Sequence, residues 1–247
     1  MKTTNYDNQA GNWKRNKAMY PSDFIVRPIV FDLFKKLGKN KIVLDIGCGE
    51  GYFSRKMAPI AKKIIAFDNS KKMIDLAIEQ NLIDKYNIDY KVADMMDMGF
   101  VKSSSVDVCI CNLSLHYNSP DKYLDFFKNI KRILRPRGKI ILSSPHPYYY
   151  FSNMLGGVVK YNDITKFDYI KSRGKYFSGT IRTITGEFLH VGVCHATMED
   201  YLNSIADAGL KLEKFIEPPI TKGLLKEYKN IGKIDELPTY IILQASK

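Results

Sequence analysis

Val43-Leu44-Asp45-Ile46-Gly47-Cys48-Gly49-Glu50-Gly51 is the stretch that decides the fold. A short apolar run ends in an acid and then in three alternating glycines. Glycines at the exit of a buried strand leave bare backbone for a ligand to lie against, and the following helix aims its amide end at the same place. The nicotinamide fingerprint requires glycine at its sixth position, where this chain has Tyr52, and the Walker Gly-Lys-Ser/Thr is absent. Asp45 is unfriendly to a pyrophosphate and suited to a cation. The turn therefore points to a nucleotide-like ligand that carries positive charge and no phosphate.

Working outward, strands and helices alternate. The spacing of apolar residues predicts a helix over 20–37, with Pro28 dividing it into two pieces, and Gly38 supplies a stop. Strands follow at 41–46, 64–67, 86–92, 106–111 and 139–143, with helices at 51–59, 71–80 and 121–134. Short apolar strands between helices imply a parallel sheet covered on both faces. The rhythm breaks between Ser144 and Ala196, a stretch rich in aromatic residues and glycine, whose second half reads as a hairpin around Thr185-Gly186. It resumes with a helix at 198–208 and strands at 210–216 and 240–245. The interruption is thus expected to be a lid inserted into one domain.

Composition sets the outer limits. A chain of 247 residues buries one sizeable core. No apolar run is long enough to span a membrane and no secretory signal is recognisable, so a cytoplasmic location is expected. Cys48, Cys109, Cys111 and Cys194 lack metal-ligand spacing, and Cys109 and Cys111 read as small residues of a strand core. The net charge of +12 is spread along the chain in lysine pairs, which read as solvated helix faces.

The glycine turn resembles motif I of the class I S-adenosylmethionine (SAM)-dependent methyltransferases, hydrophobic-hydrophobic-Asp/Glu-x-Gly-x-Gly-x-Gly, and the similarity continues in order along the chain. It implies a doubly wound, mostly parallel seven-stranded α/β sheet with helices on both faces and a lid after the fifth strand. It also implies a cofactor site of Asp45, Gly47, Gly49 and Gly51. Asp68 matches the acid that binds the ribose hydroxyls, and Asn69 and Met73 the residues that flank the adenine. Asp94, followed by Met95, matches the acid that accepts from the adenine amine; Asp107 to His116, with Asn112, resembles motif IV beside the methyl group. The implied organisation is a single methyltransferase domain over 1–247: an N-terminal helical cap (1–38), a SAM-binding core (39–144), a substrate lid (145–196) and the C-terminal part of the sheet (197–247).

Motif IV has neither the Asn/Asp-Pro-Pro-Tyr/Phe of amine-methylating nucleic-acid enzymes nor a cysteine next to proline. The chain resembles the small-molecule branch, with a small acceptor that offers an oxygen, nitrogen or carbon nucleophile. The alternatives are an RNA methyltransferase, motivated by the charge, and a SAM-binding protein without catalysis. His116, His146 and His195 are the candidate bases. Each also has a structural reading, as a residue bonded to backbone or capping a helix. His190 reads as structural or exposed. Tyr148 and Tyr149 are candidates for the acceptor wall, and Tyr6 and Trp13 for a segment that orders over the cofactor. No two histidines have helical metal-ligand spacing, so no metal is expected.

Overall fold

A computed structural model describes residues 6–148, 159–162, 167–222, 226 and 238–247. Among these residues ten strands fall into two sheets: β1 (Ile42–Ile46), β2 (Lys63–Asp68), β3 (Ile88–Val92), β4 (Val106–Asn112), β5 (Leu134–Pro145), β6 (Val159–Tyr161), β7 (Tyr176–Arg182), β8 (Phe188–Cys194), β9 (Lys211–Ile216) and β10 (Tyr240–Ser246). The main sheet has the order β3-β2-β1-β4-β5-β10-β9. Its first five members are parallel, and β10 runs antiparallel to both neighbours. The winding reverses between β1 and β4, which opens a crevice at their carboxyl ends.

Both faces of the sheet are buried because its central strands are apolar at nearly every position. In β1, Val43 joins one core and Leu44 and Ile46 the other; in β5, Ile141 faces opposite to Ile140 and Leu142. Helices α3 (Val26–Leu37) and α4 (Tyr52–Met57) cover the first face, with Val26, Val30 and Phe34 of α3 fully buried. The other face is covered by α6 (Tyr123–Ile133) and α7 (Met198–Asp207). Tyr123, Phe126, Phe127 and Ile130 of α6 recur at three- and four-residue spacing and make one buried stripe. Thr197 and Asp200 form a reciprocal capping box that starts α7.

The N-terminal helix is in two pieces, α2 (Pro21–Phe24) and α3, after the short α1 (Ala10–Trp13). The break falls at Ile25 rather than Pro28, because Pro28 sits in the first turn of α3, where its missing N–H removes no intrahelical bond. The Arg135-Pro136-Arg137-Gly138 turn lies inside β5: Leu134 pairs with Val106, pairing resumes at Lys139 with Val108, and Arg137 takes a φ of 63°. The expected hairpin is the β7–β8 pair, and β6 adds an edge strand that its three residues gave no periodicity to reveal. This small sheet packs onto the N-terminal segment, with Tyr20 buried among Tyr161, Phe177, Ile181 and Leu189.

Ile141 lies wholly buried in the central strand β5, in the core shared with α3. Ile141→Ala is expected to lower unfolding free energy by about 2–5 kcal/mol in urea denaturation. A loss under about 1 kcal/mol would show that this core collapses around the gap.

Candidate active site

The glycine turn is held from three sides. Gly47, Gly49 and Gly51 have φ of 68°, 57° and 77°, a region that disfavours side chains. At Gly47 a Cβ would also overlap Ser114, whose Oγ donates to the Ile46 carbonyl at 2.9 Å. The exits of β1 and β4 thus touch. From β2, Asp68 accepts the Gly49 and Ser70 amides, each at 2.9 Å. Ser70 in turn caps α5 (Lys71–Asp84) by accepting the Met73 amide. Asp45 is buried and accepts the Ser54 hydroxyl; burial pushes its pKa up to about 7 against that hydrogen bond. Burial also raises Asp68, against its backbone amides.

A cavity of about 280 Å³ opens above these residues. Asp45, Gly47, Gly49, Asp68, Asn69 and Met73 line it, as do Asp94, Met95 and Asn112. Asp94 also accepts the Met96 amide at 2.9 Å, so it has both a site position and a turn-capping role. Gly51 does not line the cavity. A Cβ there would press on Ala77 and the Tyr90 hydroxyl, so Gly51 serves close packing against α5 and β3. Asp107, the second residue of β4, accepts from the Ile42 amide and Arg135, also away from the cavity. Leu113, just after β4, carries a φ of 59°, a strained value for a side-chain-bearing residue beside a site.

Tyr6 and Trp13 both stand in the cavity wall. The Tyr6 hydroxyl bonds that of Tyr117, and Trp13 packs on Tyr6 and Tyr20 with ring centroids 5.6 and 4.7 Å apart. Sequence reasoning missed the residue that secures this segment. Arg15 is buried, donates to Glu50 at 3.1 Å and to Asp23, and lies between the Tyr20 and Tyr52 rings at 4.2 and 4.3 Å. Glu50 also accepts the Tyr52 amide, and Arg55 donates to the Glu50 carbonyl at 2.7 Å. Burial raises the Glu50 pKa, opposed by Arg15 and Arg55. An acid inside a buried glycine turn needs a cation, and that was the available signal.

The histidines separate. His116 lines the cavity and stacks on Tyr117 at 4.2 Å, and its Nδ1 is buried with no hydrogen-bond partner among the described residues. Burial lowers its pKa to about 3, so the ring is neutral at physiological pH. His146 does not line the cavity: Nδ1 accepts the Tyr148 amide at 3.0 Å and Nε2 donates to Glu217 at 2.9 Å. His195 is likewise outside, donating from Nε2 to the Tyr169 carbonyl at 2.8 Å and edged by the Phe167 ring. The structural reading thus suits His146, both of whose ring nitrogens are engaged, and His195, whose Nε2 is. His190 is exposed on β8. Tyr148 is exposed and outside the cavity lining, and Tyr149 lies outside the described residues. Cys109 and Cys111 are buried in the strand core, where burial pushes the Cys111 thiol up to about 12.

Residues 43–138 match the family model for a methyltransferase domain. Over nearly its whole length the chain superimposes on a SAM-dependent methyltransferase from Mesorhizobium loti, with a TM-score of 0.65, 20% identity, and 89% of this chain and 96% of that one covered. The fold is that of the class I SAM-dependent methyltransferases. Two curated relatives match shorter stretches. A malonyl-[acyl-carrier protein] O-methyltransferase of Yersinia pestis is 33% identical over 105 residues, 42% of this chain and 36% of its own length. A tRNA N(3)-methylcytidine methyltransferase of Schizosaccharomyces pombe is 29% identical over 146 residues, 55% of this chain and 46% of its own. The chain therefore spans less than half the length of either relative.

The cavity suits SAM on its own chemistry. Asp45, buried, and Asp68, half-buried, bring two carboxylates to the wall that would face a sulfonium, an ammonium and ribose hydroxyls, and Gly47 leaves room that a Cβ would fill. A cation beside Asp45 favours its ionised form, so binding should release a proton, and affinity for SAM should fall as pH falls through about 7. Titration calorimetry is expected to show roughly eightfold weaker binding at about pH 6 than at about pH 7.5. Asp45→Asn should bind weakly with no such dependence; an unchanged pH profile in that variant would refute the assignment. Asp68→Ala should cost on the order of 1–3 kcal/mol of SAM affinity through lost charge-assisted bonds. Unaltered affinity would reduce Asp68 to a turn residue.

Proposed function

We propose that the protein transfers a methyl group from SAM to a small, uncharged, ring-bearing acceptor. One observation carries this reading: the cavity is electrically divided. Its ionisable acids and guanidiniums, Arg15, Arg27, Asp45, Glu50, Asp68 and Asp94, come from the N-terminal segment and the ends of β1, β2 and β3. The half beneath β4, β5 and β10 is walled by Asn112, His116, Pro145, Tyr161, Thr239 and Tyr240. That half contains no lysine, arginine or carboxylate among the described residues, and its histidine is neutral. Such a wall suits an apolar ring with a few hydrogen-bonding groups.

When bound, the cofactor supplies a methyl group made electrophilic by a positive sulfur. The chain's own part is to hold the acceptor in line and to exclude water. His116 accepts a hydrogen bond from the acceptor's O–H or N–H; so weak a base orients the nucleophile rather than fully deprotonating it. The Thr239 hydroxyl, buried without a partner among the described residues, is a second contact. In this reading residues 145–196 are the substrate lid, 1–38 the cap, and 1–247 one methyltransferase unit.

RNA methylation is the second reading, favoured by the +12 charge and by the named activity of the fission-yeast relative. The two part in one assay, release of S-adenosylhomocysteine from SAM with simple phenols and aromatic amines or with unmodified tRNA. Turnover on the small rings, little changed between low and moderate salt, is expected. Turnover on tRNA alone, falling steeply with salt, would replace this reading with the other. SAM binding with no turnover on any acceptor would favour a protein without catalysis. His116→Phe should cut turnover by roughly 10- to 100-fold while SAM affinity stays within about twofold; full activity would remove His116 from the acceptor site.

A further inference from the structure

β3 is an edge of the main sheet, and its sequence is symmetric about its middle residue. Ile88-Asp89-Tyr90-Lys91-Val92 sets an acid and a base at equal distances from Tyr90, with an apolar residue outside each. The Ile64 amide donates to the Asn87 carbonyl at 3.1 Å, and the Ala93 amide to the Asp68 carbonyl at 3.0 Å. The odd-numbered positions therefore turn their backbone groups toward β2. Backbone direction alternates along a strand, so Tyr90 presents its N–H and C=O to the open side, where the described sheet has no further strand.

The surroundings of this edge are apolar. Of the eleven large apolar side chains exposed among the described residues, five lie on α5, β3 and the turn between them: Ile78, Leu82, Ile83, Tyr86 and Val92. Leu82 and Ile83 are 70% and 75% exposed. A concentration of this kind marks a surface that meets another protein. α5 packs against β3 on the face that carries Tyr90, while Asp89 and Lys91 stand 3.7 Å apart and open to solvent on the opposite face. The far edge of the sheet, β9, is protected. Glu213 there is held by Lys139 and Gln244, and a bulge interrupts the β9–β10 ladder, a device by which natural edges resist pairing.

We propose that β3 pairs antiparallel with β3 of a second copy of this chain, about a twofold axis through Tyr90 and normal to the sheet. Tyr90 then exchanges both backbone bonds with its own copy. Asp89 lies opposite Lys91 of the second copy, and Lys91 opposite Asp89, which closes a ring of four alternating charges. Because the axis is normal to the sheet, α5 and its copy fall on the same face, and their apolar surfaces approach each other. The two cavities, at the carboxyl ends of strands that run in opposite directions, open at opposite ends of the dimer.

Sedimentation velocity of the purified protein is expected to show a dimer in place of the 28.3 kDa monomer. Lys91→Asp and Asp89→Lys each set like charges opposite one another across the axis, and each should weaken self-association at least about tenfold. Cooperative thermal melting of each variant shows that it is folded. Mixed in equal amounts, the two variants should form a dimer again, because one copy then offers two acids and the other two bases. A wild type that stays monomeric at high micromolar concentration would overturn the proposal outright. Dimers that persist unchanged in both variants would overturn it in favour of another interface. Folded variants that remain monomeric when mixed would overturn the pairing of Asp89 with Lys91.

Discussion

The ion pairs of Arg15 with Glu50 and Asp23 hold the N-terminal segment against the glycine turn, and much of the site depends on them. All three side chains are nearly inaccessible to water, so each ion has lost most of its hydration. Such a cluster contributes little net stability, since mutual attraction roughly offsets desolvation. What it does supply is position. Arg15 must lie where Glu50, Asp23 and the faces of Tyr20 and Tyr52 meet, which fixes the N-terminal segment over the glycine turn. Burial raises the Asp23 pKa, but Arg27, Arg15 and two backbone amides outweigh it and hold the group ionised. Apolar contacts alone would permit several docking registers for so short a segment; the charge geometry permits one.

The electrical division of the cavity follows from sheet topology. The chain winds outward from β1 to β3, then jumps back to β4 and winds the other way. Each half of the crevice therefore draws its side chains from a different stretch of sequence. The acids at the ends of β1, β2 and β3 collect on one side. The other side receives Asn112, Pro145 and Thr239, at or beside the ends of β4, β5 and β10. Two ligands of unlike polarity can then lie end to end with one strand boundary between them.

The main sheet and the cavity wall at the ends of β1, β2 and β3 were legible in the sequence because both are written locally. Short apolar runs such as Ile64–Phe67 and Val108–Cys111 mark the buried strands, and the glycine turn and Asp68 stand at fixed places relative to them. The ring nitrogens of histidine are not written locally. His116, His146 and His195 look equivalent in the sequence, yet Glu217 and the Tyr148 amide engage His146 and the Tyr169 carbonyl engages His195. Those partners lie up to 71 residues away, as between His146 and Glu217. Arg15 escaped for the same reason: in a lysine-rich N-terminus nothing marks one cation as buried. Gly51 shows the converse, a motif residue off the cavity wall whose positive φ and close packing on Ala77 and Tyr90 both favour glycine.

The cover over the cavity is fastened in two different ways, and they respond differently to opening. The small sheet is joined to the N-terminal segment by an apolar cluster that includes Tyr20, Tyr161 and Ile181, with Ile184 donating to the Met19 carbonyl at 3.1 Å. Separating these surfaces exposes hydrocarbon to water, and the cost rises with the area exposed. The fastening at Arg15 is ionic. Lifting the segment there rehydrates Arg15, Glu50 and Asp23, which returns much of the hydration lost on closure. The contact that separates at the lower cost is therefore Arg15 with Glu50, since Asp23 lies on the same N-terminal stretch as Arg15. Admission of a ligand to the β1 side then need not disturb the apolar packing that shapes the acceptor half.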